Sequence, residues 1–206
     1  MTENTNPEPV GFGIAELAFL LNSFEGPGHA RSVDALGAGD WAGDEELANV
    51  GLSALAARGF VQPEEDGLGV SGAASLLAQT LGDGRLWITV EVGTADGENA
   101  KVVLVEQKEL RLLLQPGIFS TWFATPLPEE LTASQVAVSI LHQHAEESPD
   151  STATVSVATL ERLSSYQLRR DGEGWEFAGI TEDGPADPVS GLGPAEVAAL
   201  FDAAAL

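Results

Sequence analysis

Near residue 85 the apolar pattern changes from a period near 3.6 to a period of 2, and this switch constrains the fold more than any other feature. Upstream, Ile14, Leu17, Ala18 and Leu21 fall at i, i+3, i+4 and i+7, the spacing of an amphipathic helix over residues 13–24. Gly26-Pro27-Gly28 stops it, and a loop with Gly37, Gly39 and Gly43 follows. Leu47, Val50, Gly51, Ala54 and Leu55 form the stripe of a second helix. Its first residues, Asp44, Glu45 and Glu46, suit the positive end of a helix dipole. Arg58 sits at its far end, and Gly59 is placed for a left-handed C′ conformation. Phe60-Val61 and Leu68-Gly69-Val70 read as two short strands around a turn, and Ser71 is placed to cap a third helix with Leu76, Leu77 and Leu81. Downstream of the switch, Leu86, Ile88, Val90 and Val92 alternate with Arg85, Trp87, Thr89 and Glu91, a strand with one buried and one wet face.

Three more strands follow with short links. Residues 94–99, containing Asp96-Gly97, form a hairpin loop into strand 101–106, then come 109–115 and, after Pro116-Gly117, 118–124. Such a row is an antiparallel meander. Pro126 and Pro128 break it, and Thr132 with Gln135 three residues on is a capping-box pattern opening a helix through Val136, Ile140 and Leu141. Residues 152–165 read both as strand and as helix. Residues 166–170 and 175–180 form a hairpin across Asp171-Gly172-Glu173-Gly174, and residues 181–191 read as a loop. Pro194 starts a last helix with Val197, Leu200, Phe201 and Ala204 on one face. The order is helix then meander, twice. The expected fold class is α+β: a mainly antiparallel, twisted sheet with helices packed on it, in two similar units related by a pseudo-twofold. Residues 1–9 are expected to be a disordered tail and 10–206 a single domain, with sub-units 10–125 and 126–206.

Composition narrows the function. Nine basic against 32 acidic residues leave a net charge of −23. Phosphate recognition rests on Lys and Arg, so nucleic acid is an unfavourable partner, and an anionic membrane surface equally so. With no cysteine, disulfides, thiolate zinc sites and cysteine nucleophiles are excluded. The first nine residues lack a basic n-region, and no apolar run approaches the roughly 20 residues of a membrane helix. A soluble cytoplasmic protein is expected.

The chemistry-bearing motifs are few. His142 and His144 are the only clustered classical ligands. On a helix they point about 200° apart and cannot meet on one metal, while His142 and Glu146 form half a site at most. Gly37-Ala38-Gly39 has no preceding strand and no Lys-Ser/Thr after it, Gly11-Phe12-Gly13 has no third Gly, and Gly51-Leu52-Ser53-Ala54-Leu55 lacks the last Gly of a nucleophile elbow. The first two helices and short strands have the order of a winged helix, but Asp44, Glu45 and Glu46 would repel phosphate. Trp41-Ala42-Gly43 spells the W-x-G of a helical-hairpin turn, but it follows a Gly-rich loop in a chain that is mostly strand, so the match is coincidental, with Trp41 expected to plug the core. No metal, cofactor or catalytic residue is expected.

The aromatic residues are the remaining signal. Trp87 lies on the polar side of its strand. In strand 118–124, Phe119 and Phe123 share one side and Ile118 and Trp122 the other, so both faces need cover from helices or from another protein. Trp87, Trp122 and Phe123 are the candidate protein-binding residues, with Trp87 expected to be at least partly exposed.

Residues 14–21, the run Leu55-Ala56-Ala57-Arg58-Gly59-Phe60-Val61, the turn and helix after it, and the strand pair around residues 87–105 resemble the EspG family. These are cytosolic chaperones of type VII (ESX) secretion in actinobacteria. The resemblance covers roughly residues 13–145 and not the last 60 or so. It implies a mixed α/β fold with a pseudo-twofold, a helical secreted client as partner, and no catalytic residues; loop 94–99 corresponds to one that such chaperones use. The expected function is a non-enzymatic protein-binding adaptor or chaperone-like protein linked to type VII secretion. The alternatives are a small hydrolase or transferase with a dispersed carboxylate/His site, and a structural subunit of an operon-specific complex. Whether the chain forms a homodimer stays open at this stage.

Overall fold

The computed structural model describes residues 8–65, 67–93, 99–108, 110–182 and 184–206. The fold is α+β, as the pattern switch requires. The described elements are β1 (Val10–Gly13), α1 (Ile14–Ser23), α2 (His29–Leu36), α3 (Glu45–Ala57), β2 (Val61–Glu64), β3 (Gly67–Val70), α4 (Gly72–Asp83), β4 (Leu86–Gly93), β5 (Asn99–Glu106), β6 (Arg111–Pro116) and β7 (Thr121–Pro126). After them come α5 (Ala133–Glu147), β8 (Thr152–Thr159), β9 (Leu163–Asp171), β10 (Gly174–Thr181), β11 (Gly184–Pro185), β12 (Val189–Leu192) and α6 (Pro194–Ala204). Ten strands belong to antiparallel sheet, and β2 with β3 forms a small separate hairpin. The chain divides into two compact units, Met1–Arg85 with Val105–Pro128, and Leu86–Leu104 with Glu129–Leu206.

In the first unit the strands run β1-β7-β6. β1 lies antiparallel to β7, with Phe12 opposite Trp122 and Gly11 opposite Phe123. One face of this sheet carries Phe12, Leu112, Leu114 and Ala124, all buried. The first helices supply the rest of the core through Leu17, Leu20, Leu21, Leu55, Leu77 and Leu81. α1 and α3 cross where Gly51 meets the carbonyl of Ala15, a contact that any Cβ at position 51 would turn into a collision. α3 opens on Asp44, whose Oδ1 accepts the Leu47 N–H at 3.0 Å, and closes at Gly59 with φ +77°. Both features follow from the acid-first, Gly-last order of the segment. The Gly-rich loop is shorter than expected, because α2 occupies residues 29–36 and ends on Gly37 at φ +66°.

In the second unit the order is β5-β4-β8-β9-β10, with β11 and β12 both on β10. Val90, Val155 and Tyr166 lie in one row across β4, β8 and β9. Val92, Ala153, Leu168 and Phe177 form the next row. This apolar face receives α6: the Phe201 ring stands 6.3 Å from both Tyr166 and Phe177. α5 opens with the capping box, Gln135 N–H donating to Thr132 Oγ1 at 3.2 Å and Thr132 N–H to Gln135 Oε1 at 3.0 Å. The segment that reads two ways is resolved as strand: Ala153, Val155 and Val157 alternate inward, and pairing with β4 and β9 on both sides outweighs local helical preference. Residues 181–191, read as a loop, contain β11 and all but the last residue of β12. Their Gly and Pro content suits short strands at a sheet edge.

Candidate functional site

The β6–β7 connection differs from its expected form. The sequence alternation extends a strand over residues 118–124, but β7 begins at Thr121, and residues 118–120 form the turn. Gly117 N–H donates to the Thr121 carbonyl at 2.6 Å and closes it. Phe119 and Ser120 have φ of 56° and 54°. Glycine adopts this left-handed region freely, but a side chain there crowds the backbone at a cost of about 1–3 kcal/mol. Phe119 is 91% exposed and Ile118 74% exposed. Neither ring nor branched chain is buried in return for the strain.

The turn is held firmly from below. Ile14 N–H, at the junction of β1 and α1, donates to the Ser120 carbonyl at 3.1 Å. One residue earlier, Gly13 N–H donates to Glu16 Oε2 at 2.8 Å. Glu16 is itself buried, and its two oxygens accept from Arg58 Nη1 at 2.8 Å each. The Arg58 guanidinium carbon lies 5.5 Å from the Phe12 ring centroid and 4.9 Å from that of Phe60. The burial of Glu16 is therefore compensated by charge, hydrogen bonds and cation–π contact together. Arg58 and Phe60, read from the sequence only as a helix end and the start of a short strand, are two members of this clasp.

The three candidate residues fare differently. Trp87 is 0% exposed, which corrects the expectation of a partly open indole. Alternation assigns it to the face of Thr89 and Glu91, but β4 is wet on that face only toward its far end: Trp87 and Ile88 are both buried, whereas Glu91 is exposed. Trp122 is half-buried on the side of Phe12. Phe123 is 39% exposed, on the opposite face with Gly11. Its ring lies against two glycines: a Cβ at Gly11 would come within 3.1 Å of it, and one at Gly117 within 2.5 Å. A cross-strand aromatic covering an edge glycine is a known stabilising pair. The structure thus brings Phe123 beside the 118–120 turn and leaves Trp87 out of any exposed patch. The unforeseen members are Ile118 and Phe119 in their turn geometry. The Pro116-Gly117 pair was the local signal for where the turn starts.

The histidines separate as helical geometry requires. His142 Nε2 is 3.4 Å from Glu146 Oε1, and its Nδ1 lies 3.4 Å from Arg170 Nη1. His144 Nε2 is 2.8 Å from Ser151 Oγ. That hydroxyl donates to the Ser148 carbonyl at 2.7 Å. Its single hydrogen is therefore committed, and His144 is the donor to it, the reverse of a base drawing a proton from a nucleophile. The arrangement closes the C-terminus of α5. Among the described residues no group of three or more His, Asp or Glu side chains could hold a metal ion. No helix among them is long and apolar enough to cross a membrane. The loop 94–99 singled out by the EspG resemblance falls, at residues 94–98, outside the described residues.

No protein-family model matches the chain, and no curated protein matches it.

Proposed function

We propose that the protein is a non-enzymatic adaptor or chaperone-like protein that binds another protein, acting in the cytoplasm and linked to type VII secretion as its likeness to EspG chaperones implies. The observation that carries the reading is the exposed apolar end of the β6–β7 hairpin, where Ile118 and Phe119 stand in water beside Phe123. Contiguous exposed apolar groups on a folded chain mark contact sites, and aromatic anchors dominate such contacts. The charge of −23 supports a protein partner over nucleic acid or an anionic membrane. In the EspG reading that partner is a helical secreted client.

The test is capture of partners by the full-length chain from a lysate of its native organism, read by quantitative mass spectrometry. Enrichment of one protein in near-stoichiometric amount, with release when Ile118 and Phe123 are both replaced by Ser, is expected. If no protein is enriched over a surface-matched acidic control, the adaptor reading falls. Sedimentation equilibrium on the same preparation separates a hetero-partner from a homodimer.

A further inference from the structure

We propose that the turn at residues 118–120 is a preformed knob that seats Phe119 in an apolar pocket on a cationic protein surface. The inference rests on the protein-binding reading and specifies the side chain and the chemistry of the partner. Its first support is energetic. A two-residue left-handed turn between strands is the place for Asn-Gly or a similar pair. Here Phe119 and Ser120 hold it at φ 56° and 54°, and Phe119 is 91% exposed. The backbone strain acts against folding, the exposed ring contributes no burial to offset it, and no contact among the described residues does so.

The second support is rigidity. Gly117 N–H bonds the Thr121 carbonyl, Ile14 N–H bonds the Ser120 carbonyl, and the Phe123 ring rests against Gly117. A ring presented on an anchored turn costs little backbone ordering on docking, so more of its apolar contact appears as affinity. The third support is charge. Residues 115–121, Gln-Pro-Gly-Ile-Phe-Ser-Thr, carry none, so the direct contact is apolar. The chain as a whole carries −23. That repels a second copy and an anionic bilayer and steers in a positively charged surface. A projecting ring requires a concave counterpart, hence a pocket with a basic rim.

The test uses the full chain, a fluorescent 18-residue Leu/Lys amphipathic peptide as a minimal apolar cationic probe, and the same peptide with Glu replacing Lys. Phe119→Gly leaves the net charge unchanged and relieves the turn. It is expected to weaken binding of the Leu/Lys peptide at least tenfold while raising the melting temperature by about 2–4 °C. A structural role for the ring cannot produce that pair of opposite signs. Equal binding by wild type and Phe119→Gly would overturn the proposal, as would equal binding of the two peptides. A lower melting temperature in Phe119→Gly would show a packed ring and overturn it too. Phe119-dependent dimers, or Phe119-dependent binding to phosphatidylcholine vesicles, would replace it with a second copy or a bilayer. A lysate partner that is retained by Phe119→Gly would leave the adaptor reading standing and remove the knob alone.

Discussion

Two groups of aromatic side chains, one in each compact unit, meet opposite fates. In the second unit Tyr166, Phe177 and Phe201 form a cluster with ring centroids 4.6–6.3 Å apart, and Phe201 is fully buried. In the first unit Phe119 and Phe123 sit at a hairpin end, one almost wholly in water and the other half covered. Residue type does not separate the groups. What separates them is a lid: α6 descends on Tyr166 and Phe177, whereas no described side chain closes over Phe119. An aromatic residue belongs to the core only where a second layer reaches it, because apolar stabilisation scales with the area removed from water.

Truncating each group measures the difference directly. Phe201→Ala should cost about 3–5 kcal/mol, the lost transfer energy plus a cavity that α6 cannot fill. Chemical denaturation reads this as a lower midpoint with an unchanged slope. A cost below roughly 1 kcal/mol would mean that α6 is a loosely held flap and that the contrast is false. Within the first unit, Gly51→Ala should cost about 2–3 kcal/mol, since the added methyl drives α1 off α3 at the Ala15 carbonyl. Retention of the wild-type melting temperature would show that the two helices do not cross there.

Arg58→Met comes next, at about 2 kcal/mol. Removing one partner of a fully buried ion pair costs more, but the Arg58 side chain is 38% exposed and water replaces part of what is lost. Its sharper readout is amide exchange at Ile14, which should quicken if the clasp steadies the β1–α1 junction beneath the turn. Phe123→Ala should cost only about 1 kcal/mol, because half of its ring is wet and its contact is with glycine backbone. Smallest is Phe119→Gly, expected to stabilise by about 0.5–1 kcal/mol. A stabilising truncation in one unit and a strongly destabilising one in the other would state the comparison in measured form.

Much of the fold is legible from local pattern. The capping box at Thr132 and Gln135, the terminal Gly59, the alternation of Leu86 to Val92 and the Pro at the start of α6 all act within a few residues of themselves. α2 escapes because its eight residues, about two turns between Gly-rich segments, are amphipathic but too short to stand out in the longer window over which helical periodicity is read. β1 escapes because it has only four residues and its two glycines offset the strand preference of Val10 and Phe12; pairing with β7 decides it. The candidate site is only partly legible. Alternation puts Trp122 and Phe123 on opposite faces, as the pairing with β1 does, but it does not reveal that Trp87 is buried, because it reports which face a side chain takes and not whether that face is covered.

The sequence by itself determines the class of this protein: mostly helical before residue 85, mostly antiparallel strand with two further helices after it, acidic, with no thiol chemistry. These properties are sums or short-range periodicities, and any chain with this order of residues carries them. Only the tertiary structure decides that Trp87 is interior, that Glu16 is buried against Arg58, and that the 118–120 turn holds Phe119 out in left-handed backbone. Each of these depends on groups distant in sequence, Ile14 with Ser120 and Glu16 with Arg58. Burial and strain are properties of what the rest of the chain places nearby, and no local window contains it.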